Sequence, residues 1–187
     1  MILTEVATKR LILRPIDLSD CARIRATAGQ REVADTMISI PHPFSAGEAE
    51  RYVRTRIGQM RRGRGLALGI RRPPESDLCG LVELRAVDRE HALAELSFWL
   101  AVDARGRGYM GEAIGAVLCL AFQDLDLNRV YAYHMVRNPA SGRLLARHHF
   151  RVEGVLRERV RKWGVFEDVV LQALLRDDWL AADSGGR

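Results

Sequence analysis

The chain contains 187 residues, of which 48% are hydrophobic, 28% charged and 6% aromatic. This composition is typical of a globular protein and excludes a disordered or fibrous one, and folding at this length buries roughly 70% of the unfolded surface without a metal or disulfide. The formal net charge is +5, carried mostly by arginines, which favours an anionic ligand because guanidinium groups bind phosphate and carboxylate in a bidentate way.

The chain begins with a predicted strand and a predicted helix. Lys9–Pro15 alternates charged and apolar residues with a period of two and ends at a proline, which predicts an edge strand. Asp17–Asp20 offers side-chain oxygens that cap a helix running to about Ala28. The segment Gly29–Phe44 has no clear period, which predicts an irregular loop.

A second helix and a hairpin follow. Ser45–Glu48 has the spelling of a capping box and predicts a helix that reaches about Arg62, before two glycines. Strands are predicted at Leu66–Arg71 and Leu78–Val87, and the Pro73-Pro74 turn between them indicates a hairpin.

The centre of the chain contains the clearest helix. A further strand is predicted at Leu93–Val102. After it, apolar residues recur at helical spacing and form one unbroken stripe. The stripe consists of Met110, Ala113, Ile114, Val117, Leu118, Ala121, Phe122 and Leu125.

The last part of the chain alternates strands with a short helix. We expect a strand at Arg129–Val136, a helix at Pro139–His148 and strands at Arg151–Val160 and Glu167–Leu175, followed by a frayed tail at Ala181–Arg187. The order is β-α-α-β-β-β-α-β-α-β-β, with no repeat or linker. A single α/β domain over residues 1–187 is expected, with an ordered core at about 8–180.

Cysteines and apolar segments indicate the compartment. Cys21, Cys79 and Cys119 are an odd number, far apart and without metal-binding spacing, so we expect reduced thiols and no metal. The first residues do not resemble a signal peptide, and the longest apolar stretch, Ala113–Phe122, is far shorter than the roughly 20 residues of a membrane span. A cytoplasmic protein without membrane contact is expected.

The segment Arg105–Ala113 lies between a predicted strand and the long helix. Its glycines let the backbone approach a ligand, and the helix N-terminus adds partial positive charge and free N–H donors. With Arg105 and Arg107 these features form a receptor for phosphate or pyrophosphate. The segment is neither a Walker loop nor a dinucleotide fingerprint, and such turns are often only turns.

This segment resembles the acyl-CoA pyrophosphate loop of the GNAT N-acetyltransferases, [QR]-x-x-G-x-[GA]. Arg105 and Gly108 match it, and Met110 replaces the usual small residue. The spelling G-x-G-Y-x-x-E-A at Gly106–Ala113 resembles the RimJ/RimL-like branch, which includes the N-terminal acetyltransferases of ribosomal proteins. Other landmarks of that branch recur in order, at Thr8–Pro15, Asn138–Ser141, His149–Arg157 (with His149 for the usual Gly), Gly164–Asp168 and Trp179.

The resemblance implies a fold and an activity. It implies a GNAT α/β fold whose mixed, mostly antiparallel sheet of about seven strands is flanked by about four helices and splayed between its fourth and fifth strands. It also implies transfer of acetyl from acetyl-CoA to a primary amine by direct attack in a ternary complex, and by resemblance to the branch we expect a protein or peptide N-terminal amine as the acceptor. A small amine such as an amino acid or antibiotic, or acyl-CoA binding without turnover, stays open, and a homodimer is allowed.

The resemblance also implies the coenzyme site. In the family, the strand before the loop pairs its free backbone groups with the pantetheine arm, here at about Leu100–Val102. Asn138 would contact the CoA arm, although it could equally cap a helix, and Ser141 resembles the residue that protonates the departing thiolate. The implied CoA-binding residues are Leu100, Val102, Arg105, Gly106, Arg107, Gly108, Met110, Gly111, Asn138, Ser141 and Arg143, the last with a solvated helix charge as its alternative.

The reaction also needs a proton acceptor. An alkylammonium group is protonated at neutral pH, so a base must free its lone pair, directly or through water. Glu95 resembles the glutamate at the corresponding place in histone-acetylating members, although it could simply face solvent; Glu83, His134 and Glu158 are other candidates. An N-terminal amine, with an ordinary pKa of about 8, needs less help.

Two segments are expected to shape the acceptor site. These are the loop Gly29–Phe44 and the hairpin Arg161–Phe166, neither of which contains the acidic cluster that a polyamine would require. The basic segments Arg61–Arg64 and Arg157–Lys162 suggest a rival nucleic-acid-binding function, but they lack the interleaved aromatic residues of single-strand binders. Nucleic acid is therefore not expected as a partner.

Overall fold

A computed structural model describes residues 5–74 and 77–184 of the chain. Its strands are β1 (Val6–Ala7), β2 (Ile12–Pro15), β3 (Leu66–Arg71), β4 (Leu78–Asp88), β5 (Leu93–Leu100), β6 (Arg129–Met135), β7 (Arg151–Lys162) and β8 (Val165–Leu175). Its helices are α1 (Cys21–Ala28), α2 (Arg31–Ala34), α3 (Ala46–Arg61), α4 (Tyr109–Cys119), α5 (Pro139–Arg147) and α6 (Arg176–Ser184). Short 3-10 turns lie at Leu18–Asp20 and Val102–Ala104, and a π-helical turn extends α4 at Leu120–Asp124.

The strands form one sheet in the order β1-β2-β3-β4-β5-β6-β8-β7. Neighbouring strands are antiparallel except β5 and β6, which run parallel. These two strands pair at three positions, of which Glu95 with Tyr131 is the last. Beyond that pair they separate. The expected mixed, mostly antiparallel sheet, splayed between the strands that were fourth and fifth in the prediction, is confirmed.

Each face of the sheet carries its own hydrophobic core. Successive side chains of a strand point to opposite faces, so Leu68 of β3 belongs to the buried cluster of α4 while Ala67 belongs to that of α1 and α3. The predicted stripe is buried, with Ala113 and Val117 fully enclosed. Helices α4 and α5 therefore cover one face, α1 to α3 cover the other, and the gap between β5 and β6 connects the two.

Two local predictions hold in detail. At the start of α3, the Ser45 N–H donates to Glu48 Oε2 at 2.9 Å and the Glu48 N–H donates to Ser45 Oγ at 3.3 Å, which is the predicted capping box. Strands β3 and β4 pair antiparallel as the predicted hairpin. Part of the turn between them, residues 75–76, lies outside the described residues.

The N-terminal strand is not at the edge of the sheet, contrary to the prediction. The chain reverses between Thr8 and Leu11, where the Thr8 N–H donates to the Leu11 carbonyl at 2.8 Å. The short strand β1 therefore covers β2 on the side away from β3. The expected irregular loop Gly29–Phe44 also contains one helical segment, α2.

Two predictions of where an element ends were wrong. Val102 is not part of β5, because the Arg105 N–H donates to the Val102 carbonyl at 3.2 Å and closes a 3-10 turn. The tail is not frayed over 181–184, since α6 continues to Ser184. Trp179 anchors this helix against Phe122, with ring centroids 5.3 Å apart. Residues 185–187 lie outside the described residues.

The C-terminus of α5 ends in a left-handed residue. His149 has φ of 65°, a conformation that glycine adopts without cost and other residues avoid. Its N–H donates to the Ala146 carbonyl at 3.0 Å, and the Phe150 N–H donates to the Leu145 carbonyl at 3.2 Å. The helix thus ends with a glycine-type cap although histidine occupies the position.

Replacing His149 by glycine is expected to stabilise the protein. Removing the exposed imidazole costs little packing, and glycine adopts the left-handed conformation without strain. His149→Gly should therefore raise the free energy of unfolding by about 0.5–1 kcal/mol. Urea unfolding measures this change. The control is His149→Ala, which removes the ring but keeps the Cβ; if alanine stabilises as much as glycine, backbone strain is not the cause.

Candidate active site

A cavity of about 420 Å³ occupies the gap between β5 and β6. On the α4/α5 face its wall comes from the segment between β5 and α4 and from the start of α5. On the opposite face the wall comes from the segment around Met37, from Arg85 of β4 and from Glu95 of β5. The cavity therefore passes through the sheet and is bordered by both helical layers.

The glycine turn before α4 fits an anionic group. Gly106 and Gly108 have φ of 75° and 78°, and a Cβ built on Gly106 meets no atom within 4 Å. The Glu112 N–H donates to the Gly108 carbonyl, so the three preceding amides, including those of Met110 and Gly111, have no intrahelical acceptor. These donors at a helix N-terminus form a receptor for phosphate.

Met110 does not block this turn although it replaces a small residue. Its side chain is 6% exposed and packs in the core beneath α4. Its backbone N–H is one of the first-turn donors. A large side chain is compatible with the turn because it points into the protein.

The two arginines of the turn differ in their positions. Arg105 lines the cavity, and its guanidinium donates to the Leu100 carbonyl at 3.4 Å and to the Glu32 carbonyl at 3.2 Å. Arg107 is exposed and does not line the cavity; its carbonyl accepts a hydrogen bond from Arg10 at 2.9 Å. Arg105 is therefore the better placed of the two for a ligand in the gap.

Glu112 ties the glycine turn to the N-terminal segment. Its Oε1 accepts from Thr8 Oγ1 at 2.6 Å and from the Arg10 N–H at 2.7 Å, and its Oε2 accepts from Arg10 Nε at 2.7 Å. Burial alone would raise the pKa of this carboxyl, but the hydrogen bonds from Thr8 and Arg10 outweigh it and lower the pKa. Two distant sequence landmarks thus meet in one cluster that holds the turn.

Asn138 and Ser141 meet at the start of α5. Asn138 caps the helix, accepting from the Ser141 N–H at 3.4 Å, and its amide Nδ2 donates to Ser141 Oγ at 3.0 Å. Both residues line the cavity. Since Ser141 Oγ already accepts from Asn138, its own hydrogen is available to a group in the cavity. Arg143, on the same helix, is exposed and does not line the cavity.

Glu95 stands where β5 and β6 separate. It lines the cavity and accepts a hydrogen bond from Arg85, opposite it on β4. Burial disfavours the charge of Arg85, but the carboxylates of Glu95 and Glu83 outweigh it and raise the pKa of the guanidinium. The Arg85 guanidinium is therefore charged at neutral pH, and its hydrogen bond holds the Glu95 carboxyl within reach of a molecule in the gap.

The other proposed bases are less well placed. Glu83 is buried, binds Arg56 with both oxygens at 2.8 and 3.1 Å, and does not line the cavity; Glu158 does not line it either. His134 does line it, but on the α5 side, where a Cβ on Gly142 would lie 2.8 Å from its Nε2. Its Nε2 also lies 3.1 Å from Gln172 Nε2, so this ring nitrogen already has a hydrogen-bond partner.

Sequence reasoning missed Arg85 and Tyr133, which also line the cavity. The sequence contains an indication that Arg85 is functional. Glu83 and Arg85 are charged residues at alternate positions of an otherwise apolar strand, so both side chains point to the same face of the sheet. Tyr133 carried no such signal. Tyr133 faces the cavity because β6 no longer pairs with β5 at this position, and only the register of the sheet shows where that pairing ends.

The hairpin between β7 and β8 holds the loop that borders the acceptor side. Lys162 Nζ donates to the carbonyls of Met37 and Ile40 at 2.7 and 2.8 Å, and burial lowers the pKa of this ammonium group. Within the two segments expected to shape the acceptor site, Met37 lines the cavity and Ile40 and Phe44 lie in the core. The aromatic side chains of His42 and Trp163 lie outside the cavity.

Other kinds of site find little support in the described residues. Over 5–74 and 77–184, no three His, Cys, Asp or Glu side chains converge to hold a metal ion. No helix in the same ranges has the length and apolarity needed to cross a bilayer.

Removing the carboxylate of Glu112 should loosen the turn. We expect Glu112→Gln to lose about 1–2 kcal/mol of stability near pH 7, the range for hydrogen bonds to a partly exposed charged group. A carboxyl with a lowered pKa stabilises the fold above its unfolded-state pKa and loses that effect as the pH falls through its folded-state pKa. The difference between parent and variant in thermal unfolding should therefore shrink as the pH falls from about 6 to about 3.

The control for this prediction is Glu90→Gln, whose exposed carboxylate makes no ion pair with any described residue. It should change stability by less than about 0.5 kcal/mol. A Glu112→Gln deficit that stays constant down to the lowest pH would contradict the proposed role of the charge.

Comparisons with known proteins agree with this architecture. Residues 10–151 match a family model described as an acetyltransferase (GNAT) domain. The chain is 29% identical over 169 residues to the uncharacterized N-acetyltransferase YoaA of Bacillus subtilis, covering 90% of this chain and 95% of that protein. It is 31% identical over 121 residues to the ribosomal protein uS5-alanine N-acetyltransferase of Escherichia coli, covering 64% of this chain and 62% of that protein.

A solved structure shows the same fold. Spermidine N-acetyltransferase from Vibrio cholerae, in complex with CoA and spermine, superposes with a TM-score of 0.81 at 24% identity, covering 92% of this chain and 99% of that one. Since the family model spans more than half of the chain and the fold agrees with it, the protein belongs to the GNAT acetyltransferase family and is an acetyl-CoA-dependent N-acetyltransferase.

Proposed function

We propose that the protein acetylates the N-terminal amine of a protein or peptide by direct attack on acetyl-CoA in a ternary complex. The observation that carries this proposal is the charge of the cavity. Its lining contains one carboxylate, Glu95, which is paired with Arg85, and two further guanidinium groups, Arg105 and Arg147. Such a site suits a single amine, whereas a polyamine would bring several cations to a wall whose one carboxylate is already paired.

The relatives support both an N-terminal amine and a small-amine acceptor. The name of the Escherichia coli relative gives an alanine of ribosomal protein uS5 as its acceptor, which supports an N-terminal amine here. The Vibrio cholerae enzyme is named for spermidine, which keeps a small amine as the alternative. The scarcity of carboxylates in the cavity favours the first.

We assign the pyrophosphate of acetyl-CoA to the glycine turn. The donors would be the first-turn amides of α4, including those of Met110 and Gly111, with the guanidinium of Arg105 beside them. Positive φ at Gly106 and Gly108 lets the backbone approach the phosphates without a Cβ in the way. Arg107 and Arg143 do not line the cavity. They would contact only a phosphate of the CoA nucleotide that lies outside the cavity.

The pantetheine arm is assigned to the free edge of β5. After Glu95, the residues up to Leu100 have no partner on the β6 side of the described sheet, so their outward backbone groups can pair with the amides of the arm. This path leads from the glycine turn toward Glu95. It would bring the thioester into the gap, between Ser141 on one face and Glu95 on the other. Val102, in its 3-10 turn, lies past the end of this edge.

The thiolate would receive its proton from Ser141. In the reaction the amine lone pair forms a bond to the thioester carbon, and the C–S bond breaks with its electron pair staying on sulfur. The proton that the nitrogen loses on becoming an amide returns through water to the serine oxygen. Asn138 directs its N–H at Ser141 Oγ, which leaves the hydroxyl hydrogen for the sulfur. The positioning of Ser141 by Asn138 therefore makes it the general acid.

Glu95 is assigned the role of base. It is the one carboxylate in the lining of the cavity within the described chain, and it would take the ammonium proton directly or through water before attack. Because an N-terminal amine has an ordinary pKa of about 8, part of the substrate is neutral without help. The demand on the base is correspondingly smaller than for a lysine side chain.

A thiol-release assay tests the acceptor. The panel contains short peptides with varied N-terminal residues, the same peptides with blocked N-termini and a free lysine, polyamines and aminoglycosides. We expect turnover of the free N-terminal peptides. Turnover confined to the polyamines or aminoglycosides would contradict the proposal, as would thermal stabilisation by acetyl-CoA without turnover of any amine.

Two variants test the assigned roles. Ser141→Ala and Glu95→Gln should each lower kcat by about 10- to 100-fold while acetyl-CoA still raises the melting temperature. The Glu95→Gln defect should shrink as the pH rises above about 8, because the substrate amine then loses its proton unaided. Glu158→Gln, outside the cavity lining, is the matched control. A Glu95→Gln defect that is independent of pH would argue for a structural role.

A further inference from the structure

A second cavity, of about 460 Å³, adjoins the acceptor side of the active site. The two cavities share Ser39, Arg85 and Glu95 in their walls. The remaining walls of the second cavity come from the C-terminal end of α3, the turn after it and the neighbouring part of β4. A molecule whose amine reaches Glu95 can therefore extend into this second space.

The second cavity has an excess of positive charge. Its lining contains four arginines and one carboxylate. Arg56 is neutralised by Glu83 and Arg85 by Glu95, whereas Arg62 and Arg64 form no ion pair with any described residue. Two guanidinium charges thus face this space without a counter-ion from the described part of the chain.

The backbone holds these two arginines in place. Gly63, between them, has φ of 66°, which a glycine adopts without strain. The Arg64 N–H donates to the Gln59 carbonyl at 2.9 Å, and the Val87 N–H donates to the Arg64 carbonyl at 3.1 Å. The turn is therefore fixed to both α3 and β4, which fixes the points where the Arg62 and Arg64 side chains leave the backbone.

We infer that this second cavity binds acidic side chains of the acceptor peptide, within the first few residues after the acetylated amine. The inference rests on the proposed function, since it requires a peptide whose N-terminus lies at Glu95. An extended peptide advances about 3.3 Å per residue, so the residues next to the N-terminal one pass Ser39 and Arg85 and then meet Arg62 and Arg64. Carboxylates there provide the missing counter-charges.

The lining also distinguishes a peptide from a nucleic acid. It contains arginine, serine, glutamine, alanine and glutamate but no aromatic side chain, and single-stranded nucleic acids are bound by stacking their bases on aromatic rings. Arg62 and Arg64 of the basic segment are therefore better explained as part of the acceptor site than as a nucleic-acid patch.

The test compares three peptides with the same N-terminal residue, followed by two aspartates, two asparagines or two lysines. For the parent enzyme, kcat/KM should fall in that order, with about a tenfold advantage of the aspartate over the asparagine peptide at low salt. In Arg62→Gln/Arg64→Gln this ratio should drop by about fivefold, and added salt should reduce it in the parent as well. The control Arg51→Gln/Arg61→Gln removes two exposed charges from the adjoining helix α3, neither of them in the second cavity, and should keep the ratio.

Anisotropy of a labelled aspartate peptide, with its N-terminus acetylated as in the product, separates this inference from the proposed function. The CoA-bound parent should bind it more tightly than Arg62→Gln/Arg64→Gln does. If no peptide is turned over but this difference is found, the proposed function fails and the acidic-ligand site stands. Equal kcat/KM for the three peptides together with equal binding by parent and variant overturns the inference, as does tighter binding of a single-stranded oligonucleotide than of the peptide.

Discussion

The short parallel contact between β5 and β6 is the constraint on which the rest of the site depends. The strands pair at three positions and then separate at Glu95 and Tyr131. A sheet normally separates the layers that cover its two faces, but here the gap joins them. One layer supplies helix N-termini that suit a phosphate-bearing donor, and the other supplies the charged pair of Arg85 and Glu95. The reacting groups can meet only where the sheet opens.

The open edge of β5 would be costly if nothing paired with it, since exposed strand groups are ready to bind another backbone. Here the edge ends in the glycine turn, and the turn is tied to the N-terminal segment through Glu112, Thr8 and Arg10. This bracing keeps the α4 N-terminus in position before a ligand binds. Preorganised donors lower the cost of ordering a ligand, which explains why two segments 102 residues apart converge on one carboxylate.

Local patterns predicted much of the fold. The stripe on α4, the capping box at Ser45 and the β3–β4 hairpin depend on neighbours in sequence and were all readable. The glycines, arginines and helix start predicted the phosphate-binding turn, and the resemblance pointed to Asn138 and Ser141, but the hydrogen bond between these two was not predicted. Val102 was wrongly placed in β5 because an apolar run does not show where a strand ends and a turn begins. Helix α6 was not predicted because it depends on the packing of Trp179 against Phe122, which is far away in sequence.

Long-range electrostatics was beyond local reasoning. Nothing near Glu95 in the sequence indicates that Arg85 faces it, nor that Arg107 lies outside the cavity while Arg105 lines it. These relations follow from sheet register and from the direction of a turn. They also determine the charge of the acceptor side, which is why the acceptor class can be argued from the structure and not from composition.

The central claim is that the gap between β5 and β6 is the acetyl-CoA site. Amide hydrogen exchange with and without CoA tests it most directly, because the ligand should cover specific backbone groups. We expect slower exchange in the second half of β5, in the glycine turn with the first turn of α4, and at the start of α5, with little change in α1 or β7. Protection confined to other elements, or none at saturating CoA, would contradict it.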